Sequence, residues 1–254
     1  MTVLSALLIA IGLADLLRSL APQPSESPRE TRGLPAIGVL VLVVVAASAG
    51  LLATWGGVLL TALAVIGLAA WLVCAEHADR GTGHGRALAV FAGALLVQLL
   101  GSGWAPPVTG WLADWLAWSR LPWQPEPDRA LLLVGLVLVQ LATGNRVVRL
   151  VLVTTGALPA QPVVGAVDGE LRGGRLLGPL ERLFILGLGL AGELTAAGLV
   201  IAAKGLIRWP ELKSHSRTDE TGRRRSDIDK VTEYFLVGSF VSWLVAMTAL
   251  VLAA

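Results

Sequence analysis

The feature that most restricts this chain is a succession of apolar runs cut to the thickness of a bilayer. Leu34 to Thr54, Val58 to Ala75 and Ala87 to Gly103 contain no charged residue, and Val231 to Leu252 contains only Glu233 near its entry. Each approaches the roughly 20 residues that a helix needs to cross about 30 Å of hydrocarbon. Inside lipid every backbone N–H and C=O must find a partner within the protein, which leaves helices and closed barrels. These runs are continuously apolar and do not alternate with period two, so they read as helices. Composition agrees: 55% of residues are hydrophobic, 15% are charged, and mean hydropathy is +0.72. A soluble domain of 254 residues carries more charge than this. The expected fold is all-α, a polytopic transmembrane helical bundle of six or seven spans, in a single membrane domain with short loops.

Taken in order, residues 3–17 form a first apolar helix that ends near Asp15. No Lys or Arg precedes it, and Pro22 follows Ser19-Leu20-Ala21, which favours a retained helix over a cleaved signal peptide. Asp15 reads as a solvated interfacial carboxylate at the helix end. Residues 21–33 are a polar Pro/Ser/Glu/Arg linker. Trp55 and Trp71 suit interface positions. Glu76 to Arg86 holds two of the three histidines. With Cys74 and Asp79 it matches no zinc spacing, and its glycines read as a loop. Residues 105–129 carry Trp111, Trp115 and Trp118 at i, i+4, i+7, then Pro122, Pro125 and Pro127. Val108 to Ser119 is too short to span and reads as an interfacial Trp-rich helix. Aromatic stacking on a carbohydrate or lipid headgroup is the sharper alternative. Ala130 to Thr154, with Gln140 inside, is one long tilted helix, a span plus an interfacial helix, or a re-entrant pair. This segment decides between six spans and seven, and with them the side of the amino terminus. Residues 158–174 form a polar loop.

Gly174 to Glu211 draws the eye next. About twenty mostly apolar residues surround one carboxylate, Glu193, with Lys204 and Arg208 near the end and Pro210 as a stop. Read as one helix, Arg182, Glu193 and Lys204 recur every eleven residues and share a stripe. Each cation would then lie roughly 16 Å from Glu193, which would sit at the bilayer midplane. Gly187, Ala191 and Thr195 form a small-residue ladder suited to close helix contact, with Gly198 and Ala202 beside it. A lone carboxylate charge is costly in hydrocarbon, so Glu193 is expected to share a hydrogen bond or a proton with Gln98 or Gln140. Two readings stand: a neutral, structural Glu193 in a helix contact, or a substrate or proton path lined by Glu193, Gln98 and Gln140.

The same stretch, with Asp229 to Ala246, carries a resemblance. Gly174-Arg175, Gly178, Glu181-Arg182-Leu183, Ala191-Gly192, Ala202-Ala203-Lys204, Arg208, Glu211, Glu233-Tyr234, Gly238-Ser239 and Ser242 resemble the carboxy-terminal half of a family of bacterial integral membrane proteins of unknown function. The resemblance covers the last third of the chain. Many members also have a His…Asp-Phe…Gln pattern in the first helix. Here Asp15 fits, while Ile11 and Ser19 stand where the His and Gln would fall. The resemblance implies a membrane fold and a bacterial cytoplasmic membrane, and it implies no activity.

Residues 212–230 are the most hydrophilic segment. From Lys204 to Lys230 there are eight Lys/Arg against five Asp/Glu, including Arg223-Arg224-Arg225. That density beside apolar spans argues for a cytoplasmic loop that attracts anionic lipid or docks a protein partner. Association with a second copy of the chain is a further expectation. The net charge is only +2 and no basic face carries interleaved aromatics, so nucleic acid is not an expected partner. Cys74 is the single cysteine, which excludes an internal disulfide. No P-loop, HExxH, GxSxG or CxxC occurs, so no catalytic set, metal or cofactor is expected. Three functions fit. A small transporter or channel-like permeation protein would use an intramembrane carboxylate. A non-catalytic scaffold would dock a partner through the basic loop. A lipid-handling enzyme would use Glu181, Arg182, Lys204, Arg208, Glu233 and Tyr234 beside the Trp-rich helix.

Overall fold

A computed structural model describes residues 1–20, 34–119, 125–159, 174–215 and 223–253. Within its helices, the side chains of residues 34–35, 174–175, 204–205, 207–215 and 223–232 are outside the described set. The linker 21–33, Pro122, residues 160–173 of the polar loop and residues 216–222 of the basic loop are also outside it. The described residues form helices and turns, with no strand among them. The chain is a helical membrane protein, and it divides into two compact units, residues 1–143 and 144–254.

Unit 1 is built around its first helix. Helix α1 (Thr2–Leu20) is buried along nearly its whole length, from Thr2 through Gly12 and again at Ala14 and Asp15. It packs against α2 (Leu34–Ser48), α3 (Trp55–Asp79), α6 (Pro127–Leu138) and the π turn Val139–Thr143 that follows α6. Glycine sets the closest of these contacts. A Cβ at Gly12 would stand 2.7 Å from the Leu138 Cβ, and one at Gly135 would stand 2.9 Å from the Leu8 Cβ. Those pairs rise together along both helices, so α1 and α6 run in the same direction. Between membrane helices lipid supplies no hydrophobic drive, and close approach at small residues is the main source of attraction.

Helices α3 and α4 (His84–Leu100) make a hairpin. It turns at Gly81 and Gly83, both at positive φ, and closes tightly where a Gly67 Cβ would lie 2.9 Å from the Ala94 Cβ. At the other end of α3, Thr54 caps the helix by accepting from the Gly57 N–H at 3.1 Å. The unit therefore has two recognisable ends. At one, Thr2 Oγ1 donates to the Pro106 carbonyl at 2.7 Å and Thr109 N–H donates to the Ala49 carbonyl at 2.9 Å. At the other, Arg18 pairs with Asp79 at 3.6 Å. The first end carries exposed Trp55, Trp104, Trp111, Trp115 and Trp118; the second carries Arg18, Arg80 and Arg86.

Helix α5 (Trp111–Ser119) buries none of its residues. At 1.5 Å per residue it is roughly 14 Å long, about half a bilayer core. It begins later than the sequence suggests. Val108 is extended chain tied down by its N–H to Asp128 Oδ1 at 2.7 Å, and Gly110 at φ 71° makes the turn into the helix.

Unit 2 contains α7 (Gly144–Thr154), α8 (Gly174–Leu190), α9 (Leu194–His215) and α10 (Arg223–Ala253). Helix α10 packs on α7 and α8, and α9 packs on α8. The expected single helix across 174–211 is corrected here. Helix α8 stops at Leu190, and Gly192 takes a left-handed conformation with φ 82°. Its N–H donates to the Gly189 carbonyl at 3.1 Å, and the Glu193 N–H donates to the Leu188 carbonyl at 2.8 Å. This pair of backward bonds is the Schellman stop, which glycine adopts without a Cβ penalty. A new helix starts at once, with the Glu193 carbonyl accepting from Ala197 N–H. Hundred-degree steps count only along an unbroken helix, so Arg182, Glu193 and Lys204 do not share a stripe. The ladder Gly187–Ala191–Thr195 is interrupted as well. Gly187 faces open space, while Gly189 is the tight position, 2.5 Å from the Leu250 Cδ2 by the same Cβ test.

Five helical runs among the described residues are long and apolar enough to cross a membrane: Thr2–Leu20, Trp55–Asp79, His84–Trp104, Pro127–Thr154 and Glu233–Ala253. The segment Ala130–Thr154 thus lies in one long helical run. Two shorter apolar helices, Ala36–Ser48 and Leu194–Ala203, fall below that length, so the described residues supply five of the expected six or seven spans. The first is shortened by the turn at Ala49-Gly50, and the second by the break at Gly192.

Candidate functional site

In unit 1 the polar interior gathers around Asp15. Its side chain is not solvated at a helix end, as its position in the sequence suggests, but buried at 5% exposure in the central helix. Asp15 Oδ2 accepts from Thr143 Oγ1 at 2.8 Å and from Trp71 Nε1 at 3.3 Å. Trp71 is likewise not an interface residue. It is fully buried on α3, and its ring stacks at a tilt on Phe91 of α4, 4.9 Å between centroids. Only Trp55 of that expected pair is exposed.

The π turn brings Thr143 to this position. A π turn carries one extra residue per hydrogen-bonded ring, and such turns recur at functional sites. Here Val139, Gln140, Ala142 and Thr143 are all buried, so the widened turn delivers two polar side chains to the interior. Gln140, a candidate path residue, is fully buried one turn before Thr143. Gln98, the second candidate, is buried on α4 and donates through Nε2 to the Leu60 carbonyl at 2.9 Å. One turn after Asp15, Arg18 reaches the half-exposed Asp79. A buried carboxylate therefore sits one helical turn from a charged pair at the end of the unit.

Unit 2 has a different polar core. Arg182 is 1% exposed on α8. Nη2 donates to Asn145 Oδ1 at 2.7 Å and Nη1 donates to Ser242 Oγ at 3.0 Å, which ties α7, α8 and α10 together. Two glycines leave room for the guanidinium. A Cβ at Gly144 would lie 2.7 Å from Arg182 Nε, and one at Gly178 would lie 3.2 Å from Asn145 Oδ1. The neighbouring Glu181 carboxylate, half-buried, offsets part of the cost of burying the cation. Of the polar residues that carry the family resemblance, Arg182 and Ser242 are thus joined directly. Ser239 is buried on the same helix as Ser242. Glu233 and Tyr234 are exposed near the start of the apolar part of α10. The side chains of Arg175, Lys204, Arg208 and Glu211 fall outside the described residues. Asn145 was missed in the sequence. The signal was the Gly144-Asn145 pair inside an apolar run, together with a Gly-x-x-x-Arg interval, Gly178 to Arg182.

Glu193, the leading candidate in the sequence, is exposed at the head of α9. A carboxylate there complements the partial positive charge of the helix start. Near the end of unit 1, a cleft of about 240 Å³ is lined by Val73, Cys74, His77, Thr82, Gly83 and Arg86. His77 Nδ1 lies 2.8 Å from the Val73 carbonyl, and among the described residues no three of His, Cys, Asp or Glu group as metal ligands.

The chain was compared with family models, with curated proteins and with solved structures, and none of the three yields a match.

Proposed function

We propose that this chain is a small proton-linked permeation protein of the membrane, with Asp15 as its proton-carrying group. The observation that carries this reading is the burial of Asp15 in the central helix, against a π turn and two neutral donors. Ionisable groups inside membrane helices are costly and mark substrate, ion or proton pathways by default. A carboxyl group can shed its charge by taking a proton, and Trp71 and Thr143 hold this one in place by donating to Oδ2. Arg18 and Asp79 give the carboxylate a route to the end of the unit. Glu193 remains the candidate of unit 2. Asp15→Asn keeps the shape and cannot release a proton. Reconstituted in proteoliposomes with a pH gradient, it is expected to lose proton flux by tenfold or more while the fold persists. Unchanged flux would remove Asp15, and loss in Glu193→Gln alone would return the role to Glu193.

We further propose that the chain resides in a bacterial cytoplasmic membrane, as the family resemblance implies. The Arg18–Arg80–Arg86 end of unit 1 then faces the cytoplasm. Three arginines at that end against Arg129 at the other, among the described residues, support this orientation. It puts the amino terminus outside. A competing scaffold reading draws on α9 and α10, which carry helix into the basic segment up to His215 and again from Arg223. A partner docked there is its prediction.

A further inference from the structure

We infer that Thr61 and Gln98 together hold an internal water molecule between α3 and α4. Both side chains are more than nine-tenths buried, at 5% and 2% exposure. Neither Thr61 Oγ1 nor Gln98 Oε1 has a hydrogen-bond partner among the described residues. Buried polar atoms are nearly always paired, and an orphan signals a group or water that completes it. Gln98 is tied to the residue next to Thr61, so the two orphans belong to the same turn of α3.

The contact is local. Gln98 Nε2 donates to the carbonyl of Leu60, the residue immediately before Thr61, at 2.9 Å. That bond fixes the amide, with its nitrogen on a carbonyl and its oxygen turned away. Helix α4 buries only two side chains, Ala87 and Gln98, so this amide is aimed into the unit while its neighbours face outward. Thr61 is unusual in the opposite way. A helical threonine ordinarily returns its hydroxyl to the carbonyl one turn back. Thr248 does this with Leu244 at 2.8 Å, and Thr154 with Leu150 at 2.7 Å. Thr61 does not, which leaves its hydroxyl free to serve another group. One water that donates to Gln98 Oε1 and accepts from Thr61 Oγ1 spans about 5.6 Å through two ordinary bonds. In hydrocarbon surroundings there is no bulk water to satisfy these atoms otherwise.

If unit 1 conducts protons through Asp15, this water is a second polar station on α3, ten residues from Trp71 and toward the tryptophan-rich end. That role rests on the proposed function; the water itself does not. The test is X-ray radiolytic footprinting of the full chain in detergent or nanodiscs, read at Leu60, with fully buried Leu68 as the control. Radicals made from a bound water oxidise the side chains beside it despite their burial. Leu60 is expected to be oxidised at least fivefold faster than Leu68. Thr61→Val should abolish the difference, Thr61→Ser should keep it, and Gln98→Leu should abolish it independently if Thr61→Val assembles poorly. Equal protection of Leu60 and Leu68 in the wild type, or a Leu60 rate unchanged in both apolar variants, would overturn the inference. Flux sensitive to Asp15→Asn without oxidation at Leu60 would sink the water and spare the proton path. Oxidation at Leu60 in a protein that passes no protons would do the reverse.

Discussion

The two units solve the same problem with opposite chemistry. Unit 1 buries a carboxylate among donors, the Trp71 indole and the Thr143 hydroxyl; unit 2 buries a guanidinium among acceptors, Asn145 Oδ1 and Ser242 Oγ. Both use glycine to let helices close around the polar group, at Gly12 and Gly135 in one case and at Gly144 and Gly178 in the other. The difference lies in what each buried group can do next. A carboxylate becomes neutral by taking a proton, whereas a guanidinium keeps its charge under any physiological condition. A site that can change state is a candidate for function; one that cannot is a clamp. The comparison therefore favours Asp15 over Arg182 as the group for the proposed proton role, and it makes Arg182 the tie between α7, α8 and α10.

Substitution of the clamp should cost most. Arg182→Leu removes the donors to Asn145 Oδ1 and Ser242 Oγ and should lower stability by about 3 kcal/mol or more in detergent unfolding. A cost below that of Asp15→Leu would reverse the assignment of clamp and switch. Asp15→Leu removes the acceptor of the Trp71 N–H and the Thr143 hydroxyl, and about 2 kcal/mol is expected, against under about 1 kcal/mol for Asp15→Asn. Equal losses in the two Asp15 variants would show that packing, not hydrogen bonding, holds the site. Gly192→Ala forces a Cβ into left-handed backbone and should cost about 1 kcal/mol, whereas Gly187→Ala, which meets open space, should be close to silent. A silent Gly192→Ala would restore the continuous helix. The smallest effect concerns the rim of unit 1. Depth-dependent quenching should place Trp111 and Trp115 at headgroup level, and quenching at the bilayer centre would contradict the two-ended reading of that unit.

Much of this architecture was legible in the apolar runs. The α3–α4 hairpin, its Gly81–Gly83 turn and the short Trp-rich helix follow from run length and glycine placement. The break at Gly192 was not, because hydropathy averages over a residue whose left-handed conformation is what ends α8. Counting eleven-residue intervals assumed the helix that the glycine interrupts. The burial of Asp15 was hidden for another reason. Its partners lie 56 and 128 residues away, and nothing near residue 15 announces Trp71 or a widened turn at Thr143. Gln98 and Gln140 were recognisable as intramembrane polar residues, but the sequence tied them to Glu193. Each has its place in unit 1, in the same unit as Asp15.

The central claim is that Asp15 takes up and releases a proton inside the membrane. Infrared difference spectroscopy on the reconstituted protein reads this directly through the carbonyl stretch of a protonated carboxyl group. Titrated between about pH 2 and pH 9, a span bracketing ordinary carboxyl and histidine chemistry, the wild type should show a buried carboxyl band that fades as pH rises. Asp15→Asn should lack that band, and Glu193→Gln should retain it. A spectrum in which no band separates the wild type from Asp15→Asn at any pH in that span would contradict the account.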